Sequence, residues 1–109
     1  MFIYAANLIK IIDGDTIDAE IDLGFSTFVK KRIRFLGIDA PETRTRDLEE
    51  KQAGLKAKSR VEALFDASNG MFVLRSHGVG KYGRVLGEIF IDKVNINNLL
   101  IEEGLASKY

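Results

Sequence analysis

Polar and apolar residues alternate most cleanly in Thr16–Leu23, where Ile17, Ala19, Ile21 and Leu23 interleave with Thr16, Asp18, Glu20 and Asp22. That period of two predicts a strand with one buried and one solvated face. Leu8–Ile12 is a shorter β-rich run that halts at Asp13-Gly14, a dipeptide that favours a turn. Gly24 ends the second strand and starts a hairpin into Phe25–Leu36, in which Ile33 and Phe35 share one face and Arg32 and Arg34 the other. Pro41 closes the strand region, because proline lacks a ladder donor and restricts the residue before it, here Ala40.

The period then changes. Ala53, Ala57, Val61 and Leu64, widened by Phe65, fall at helical spacing. Asp47 with Glu50 has the form of a capping box, while Gly54 disfavours helix so early, so the helix is expected to begin between 47 and 54 and to end at Asn69-Gly70. Two further strands are expected near Met71–Arg75 and Val85–Ile91, separated by the glycine-rich stretch Gly78–Gly83. Asn95 can cap a short helix with Ile96, Leu99 and Leu100 on one face and Gly104 as its stop. Three strands, a helix, two strands and a short helix follow the plan of a five-stranded OB-fold barrel, a β-rich α+β fold. The 109 residues make one domain, and most of the seven Phe sit in apolar-patterned positions that read as core.

Composition narrows the chemistry. The chain has 46% hydrophobic and 29% charged residues, as ordinary globular domains do. With no Cys and a single His, thiol catalysis, disulfides and any site needing two imidazoles are excluded. Carboxylates, guanidinium groups, amines, hydroxyls and a hard metal ion remain. The formal net charge is zero, yet Lys30, Lys31, Arg32, Arg34, Arg44 and Arg46 crowd one third of the chain. Such a run reads either as a solvated strand edge or as a phosphate-facing patch. No signal peptide and no bilayer-spanning apolar run is visible, so a cytoplasmic location is expected, with secretion after removal of a leader left open.

Four segments could carry chemistry: Asp13-Gly14-Asp15-Thr16, Arg34–Thr43 (RFLGIDAPET), Lys81-Tyr82-Gly83-Arg84 and Gly104-Leu105-Ala106. Asp15 and Asp39 offer two carboxylates from neighbouring strand ends to a hard divalent cation. Arg34 and Arg84 offer planar forks to phosphate oxygens, and Glu42 is left to take a proton from an attacking water or to orient it. Each segment also has a plainer reading. Asp-Gly-Asp-Thr can be only a turn, Asp39 and Glu42 can punctuate a strand end, and Lys-Tyr-Gly-Arg can be a hairpin connection. His77, in a glycine-flanked loop, reads as a bystander.

Taken in order, these segments resemble the thermonuclease (staphylococcal nuclease) family from about Leu8 to Ala106. The resemblance implies a Ca²⁺-dependent phosphodiesterase acting on DNA or RNA, with Asp15, Asp39 and the backbone carbonyl of Ala40 as metal ligands. Family members often have threonine where Ala40 stands. The resemblance further implies Arg34, Arg84 and Glu42 as catalytic residues, Lys81 and Tyr82 as contacts to the nucleotide, and Tyr109 as a candidate for the base pocket. The implied reaction cuts at the 5′ oxygen and leaves a 3′-phosphate, favouring single-stranded or frayed substrate. The span from Asp15 to Arg34 is longer than in the smallest relatives, so the second hairpin is expected to project, its tip near Gly24–Ser26 adding substrate or partner contacts. The rival readings are a catalytically weak or inactive barrel that binds nucleic acid or protein, and a generic single-strand-binding OB domain. Monomer and dimer both remain open.

Overall fold

A computed structural model describes residues 2–109. In chain order the elements are β1 (Phe2–Asp13), β2 (Thr16–Asp22), β3 (Phe28–Phe35), β4 (Ile38–Asp39), α1 (Leu48–Ala67), β5 (Met71–Val79), a 3₁₀ turn (Lys81–Gly83), β6 (Val85–Ile91), β7 (Val94–Asn95), α2 (Ile96–Glu102) and β8 (Ser107–Lys108). Antiparallel pairing runs β3-β2-β1-β5-β6, and a parallel pairing of β3 with β6 closes the ring. The result is the expected five-stranded barrel. Closure removes the free edges that an open sheet would leave to solvent. Two minor pairings are additions to the expected plan: β7 folds back on β6, and β8 pairs with β4.

The period-two pattern of β2 translates directly into burial of Ile17, Ala19 and Ile21. Leu23 departs from it: the strand ends at Asp22, and Leu23 is exposed in the hairpin. β1 is twelve residues long rather than the short run at Leu8–Ile12, because its first half pairs with β5 and its second half with β2. β5 is likewise longer than expected, reaching Val79. Of the seven Phe, only Phe35, Phe65 and Phe72 are buried; Phe2, Phe25 and Phe28 are exposed, which corrects the reading of most of them as core.

α1 begins at Leu48 with Asp47 as its cap, whose Oδ1 accepts from the amides of Glu49 (3.0 Å) and Glu50 (3.3 Å). The box is not reciprocal, since the Glu50 carboxylate accepts instead from the Glu42 amide at 3.5 Å. The buried stripe is Gly54, Ala57, Val61 and Phe65; Ala53 is exposed and Leu64 only partly covered. Phe65 packs edge-on against Phe72 of β5, 5.3 Å between ring centroids. Asn95 caps α2 as expected, accepting from the Asn98 amide at 3.1 Å. The neighbouring Asn97 is buried and fully engaged. Its Oδ1 accepts from the Ile89 amide, and its Nδ2 donates to the carbonyls of Leu36 and Gly87, so one side chain ties α2 to the β3–β6 seam.

The basic run of β3 divides. Arg32 makes a two-bond pair with Asp18 across the β2–β3 ladder (2.8 and 3.1 Å), and that guanidinium holds the Asp18 carboxyl below the usual aspartate range. Lys30 and Lys31 are exposed and make no ion pair among the described residues. His77 is not idle: its Nε2 lies 2.7 Å from Glu88, which also takes a bond from Asn95. Among the described residues no helix is long and apolar enough to cross a membrane.

Candidate active site

The turn between β1 and β2 supplies Asp15 and the strand ladder places Arg34 beside it, because Thr16 pairs with Arg34. Asp15 is only 6% exposed. Its Oδ2 accepts from the Ala40 amide at 2.8 Å and lies 3.4 Å from Arg34 Nη1; its Oδ1 accepts from the Thr16 hydroxyl at 2.9 Å. A carboxylate this buried needs such partners to remain charged. Gly14 makes room for the arrangement. A Cβ there would lie 2.7 Å from Cβ of Ala57 on α1 and 3.2 Å from Cβ of Ala40.

Arg34 stands on the outer face, opposite Ile33 and Phe35, but the chain beyond β3 folds back over it. Nη1 donates to the carbonyls of Ile38 (2.8 Å) and Phe35 (3.1 Å), and Nη2 donates to Asp39 Oδ1 at 3.3 Å. One guanidinium therefore joins a buried aspartate to one whose side chain is 57% exposed. The β4–β8 pairing brings the end of the chain to the same place. The Tyr109 amide donates to Gly37 O at 3.0 Å, and the exposed Tyr109 ring has the Arg34 Cζ 5.7 Å from its centroid.

Arg84 belongs to a second group. It precedes β6 by one residue, two before Leu86, which pairs with Arg34 in the parallel seam. Its Cζ lies 5.9 Å from the ring of Tyr82, which is 91% exposed and held at φ +64° in the 3₁₀ turn. Gly83 follows at φ +73°, and Lys81 is exposed. The Arg84 Nε is buried and has no hydrogen-bond partner among the described residues. Such a donor is costly to leave unmade, and an anionic ligand would satisfy it.

Glu42 is exposed on the loop after Ala40-Pro41. It lines an open cleft of about 450 Å³ with Asp39, Ala40, Glu50 and Ala53, walled on the far side by Gly104–Ser107; neither arginine lines it. So Asp15, Arg34, Asp39, Ala40 and Tyr109 converge directly, Glu42 stands on the same loop, and Arg84 with Tyr82 and Lys81 forms a neighbouring cluster. Two residues that position this loop escaped the sequence reading. Asp13 Oδ1 accepts from the Thr43 hydroxyl (2.6 Å) and amide (3.2 Å), pinning the residue after Glu42 to the β1–β2 turn. Gly54 lets α1 lie against the same loop, since a Cβ there would fall 2.6 Å from Glu42 O and 2.8 Å from Pro41 O. The signal for Asp13 was present as the first aspartate of Asp-Gly-Asp-Thr; that for Gly54 was a helical glycine at an inward position.

A family model described as Staphylococcal nuclease homologue matches residues 32–109. The chain belongs to that family. Among curated proteins the chain is similar to Endonuclease YhcR of Bacillus subtilis, 31% identical over 107 residues that cover 92% of this chain and 8% of YhcR. It is 29% identical over 98 residues to the SPbeta prophage-derived endonuclease YokF of the same organism, covering 89% of this chain and 31% of YokF. The Thermonuclease of Staphylococcus hyicus is 27% identical over 99 residues, 91% of this chain and 56% of that protein. The chain thus spans from under a tenth to little more than half of these relatives. The segment that the family model matches holds Arg34, Asp39, Glu42 and Arg84, whereas Asp15 precedes it and reaches the site through the β2–β3 ladder.

Proposed function

We propose that this chain hydrolyses phosphodiester bonds in DNA or RNA with the help of a divalent cation, expected to be Ca²⁺. The observation that carries the proposal is the single Arg34 guanidinium bound to both Asp15 and Asp39. It gathers hard oxygen donors and a phosphate-binding fork at one point. Asp15, Asp39 and the Ala40 carbonyl are the residues that would hold the cation. Asp15 Oδ1 carries only the Thr16 hydroxyl bond and keeps acceptor capacity for it. When bound, the cation polarises the phosphoryl oxygen and neutralises its charge.

The chain's own groups supply the rest. Arg34 and Arg84 donate to the non-bridging phosphate oxygens, whose charge grows as water adds to phosphorus. Glu42, free in the cleft, accepts a proton from that water or orients it. The phosphorus–O5′ bond breaks, leaving a 3′-phosphate on one product and a 5′-hydroxyl on the other. Lys81 contacts phosphate, and the exposed rings of Tyr82 and Tyr109 stack on unpaired bases, which favours single-stranded or frayed substrate. The names of the endonuclease and thermonuclease relatives support the same reading.

The test is cleavage of a quenched fluorescent single-stranded oligonucleotide in Ca²⁺, in Mg²⁺ and in chelator. Cleavage in Ca²⁺ that chelator abolishes is the expected result, with Glu42→Gln lowering turnover about a hundredfold or more. A folded protein that cuts nothing under any of these conditions would sink the nuclease reading in favour of a binding module.

A further inference from the structure

The pairing of β5 with β6 slips just before the turn that carries Lys81, Tyr82 and Arg84. Arg75 stands opposite Glu88 and Ser76 opposite Gly87, but the next pair is Val79 with Val85. His77 and Gly78 together therefore face the single Leu86, which makes them a β-bulge. Gly78 takes the kink at φ +109°, a conformation that side chains rarely allow. The consequence is felt at the turn. In an unbroken ladder Gly80 would oppose Gly83, with only Lys81 and Tyr82 between them. With the bulge, Gly80 opposes Arg84 instead, its amide donating to Arg84 O at 2.8 Å, and Lys81–Gly83 form the turn. Gly80 also lies against Leu86, since a Cβ there would come 3.2 Å from that side chain. The bulge thus sets where Lys81 and the Tyr82 ring stand relative to Arg84.

A side chain pins the bulge where the ladder is broken. His77 Nε2 lies 2.7 Å from Glu88 Oε1, reaching diagonally past the directly opposite Arg75. A carboxylate only accepts, so Nε2 donates. Glu88 does not depend on this bond. Arg75 Nε stands 3.5 Å from the same oxygen, and Asn95 donates to Oε2 at 2.8 Å. Loss of the imidazole would therefore leave Glu88 held and release only the bulge. Arg84, Leu86 and Glu88 alternate with the buried Val85, Gly87 and Ile89, so they share one face, and on it Leu86 pairs beside Arg34. We infer that His77 is a positioning residue for the proposed cleavage: by bonding Glu88 it fixes the bulge that sets the Lys81–Gly83 turn and Arg84 against the phosphate. The inference rests on the nuclease reading above and adds to it a residue that touches neither substrate nor cation. A shift of about 1 Å in a group of this kind can cost about a hundredfold in rate.

The test compares the parent protein with His77→Ala and with His77→Gln, whose side-chain amide places a donor where Nε2 stands. Amide hydrogen exchange is followed by NMR without substrate or cation, and kcat is measured in Ca²⁺ on a saturating single-stranded oligonucleotide. In His77→Ala the Gly80 amide, which bonds Arg84 O, should exchange about tenfold faster. The Ile89 amide, bonded to Asn97 inside the barrel, should exchange at the parent rate and so report an intact fold. The same variant should lose about tenfold or more in kcat, and His77→Gln should recover most of both effects. Unchanged exchange at Gly80 in His77→Ala would overturn the inference, as would equal acceleration at Ile89, parental kcat, or a His77→Gln as impaired as His77→Ala. Absence of cleavage by the parent protein would count against the nuclease reading, while exchange at Gly80 would still decide whether His77 holds the turn.

Discussion

The two arginines of the proposed phosphate clamp sit in opposite energetic situations. Arg34 is satisfied: it neutralises the buried Asp15 and donates to two carbonyls and to Asp39. Arg84 holds a buried Nε with no hydrogen-bond partner among the described residues. Removing Arg84 should therefore lower turnover about a hundredfold to a thousandfold, since it binds charge that develops in the transition state. Its loss should leave the melting temperature unchanged or higher, because an unmade hydrogen bond disappears with it. Removing Arg34 should lower turnover similarly and also destabilise the fold by on the order of 2 kcal/mol, because Asp15 is left buried without its counter-charge. Calorimetry beside kinetics on Arg34→Ala and Arg84→Ala separates the two cases. Equal melting temperatures for both variants would contradict the assignment of Arg34 as a structural partner of Asp15.

At the scale of elements, the Pro41–Thr43 loop is held by what lies on either side of it. Asp13 grips Thr43 from the β1–β2 turn, and α1 presses against Pro41 and Glu42 at Gly54. Helix propensity alone says that Gly54→Ala should stabilise α1 by about 1 kcal/mol. The 2.6 Å approach of that Cβ to the Glu42 carbonyl says the opposite. Because the clash is with backbone on a short, bonded loop, overpacking should win, and the variant should lose about 1–3 kcal/mol in urea denaturation. It should also lose activity, since Glu42 moves with the loop. A stabilised, fully active Gly54→Ala would show that the helix and loop can separate freely. By its propensity alone this glycine argues against an early helix start. Asp47 was the better guide, because a cap acts on amides two and three residues away, whereas the reason for Gly54 lies in a loop twelve residues earlier.

At the scale of the whole molecule, the barrel is a closed ring sealed at the parallel β3–β6 seam and tied by Asn97 to α2. Across its outer wall, Glu88 on β6 gathers His77 and Arg75 from β5 and Asn95 from β7. Burial alone would raise the Glu88 carboxyl, but the bonds from His77 and Asn95 and the charge of Arg75 together bring it below the ordinary glutamate range. A carboxylate with a lowered folded pKa contributes stability at pH values above its unfolded pKa and loses it as pH falls through the folded one. Glu88→Gln should therefore melt below the parent protein at neutral pH, and the gap should close on acidification below the ordinary glutamate range. Thermal melts of the pair across pH would show it. A gap that persisted undiminished in acid would mean that packing, and not charge, makes Glu88 useful.

Whatever depends on near neighbours is legible in the order of residues. The alternation of β2, the caps at Asp47 and Asn95, the stop at Gly104 and the order of strands and helices all follow from residues within a turn or a pleat of one another. The motif segments were legible for the same reason, as short runs of fixed spacing. The rest depends on which distant backbone comes close. Ala53 and Gly54 exchange inner and outer places because the Pro41–Glu42 loop claims the space beside the helix. Leu23 and Phe28, apolar residues beside a patterned strand, are left in solvent because the ladder runs past the barrel wall into a projecting hairpin. Asn97 reads as an ordinary helix residue until β3 and β6 bring the Ile89 amide and the Leu36 and Gly87 carbonyls to it. Local period sets each element's type and its inner face, but the contents of the site are set by close approaches between segments far apart in the chain, which no local pattern encodes.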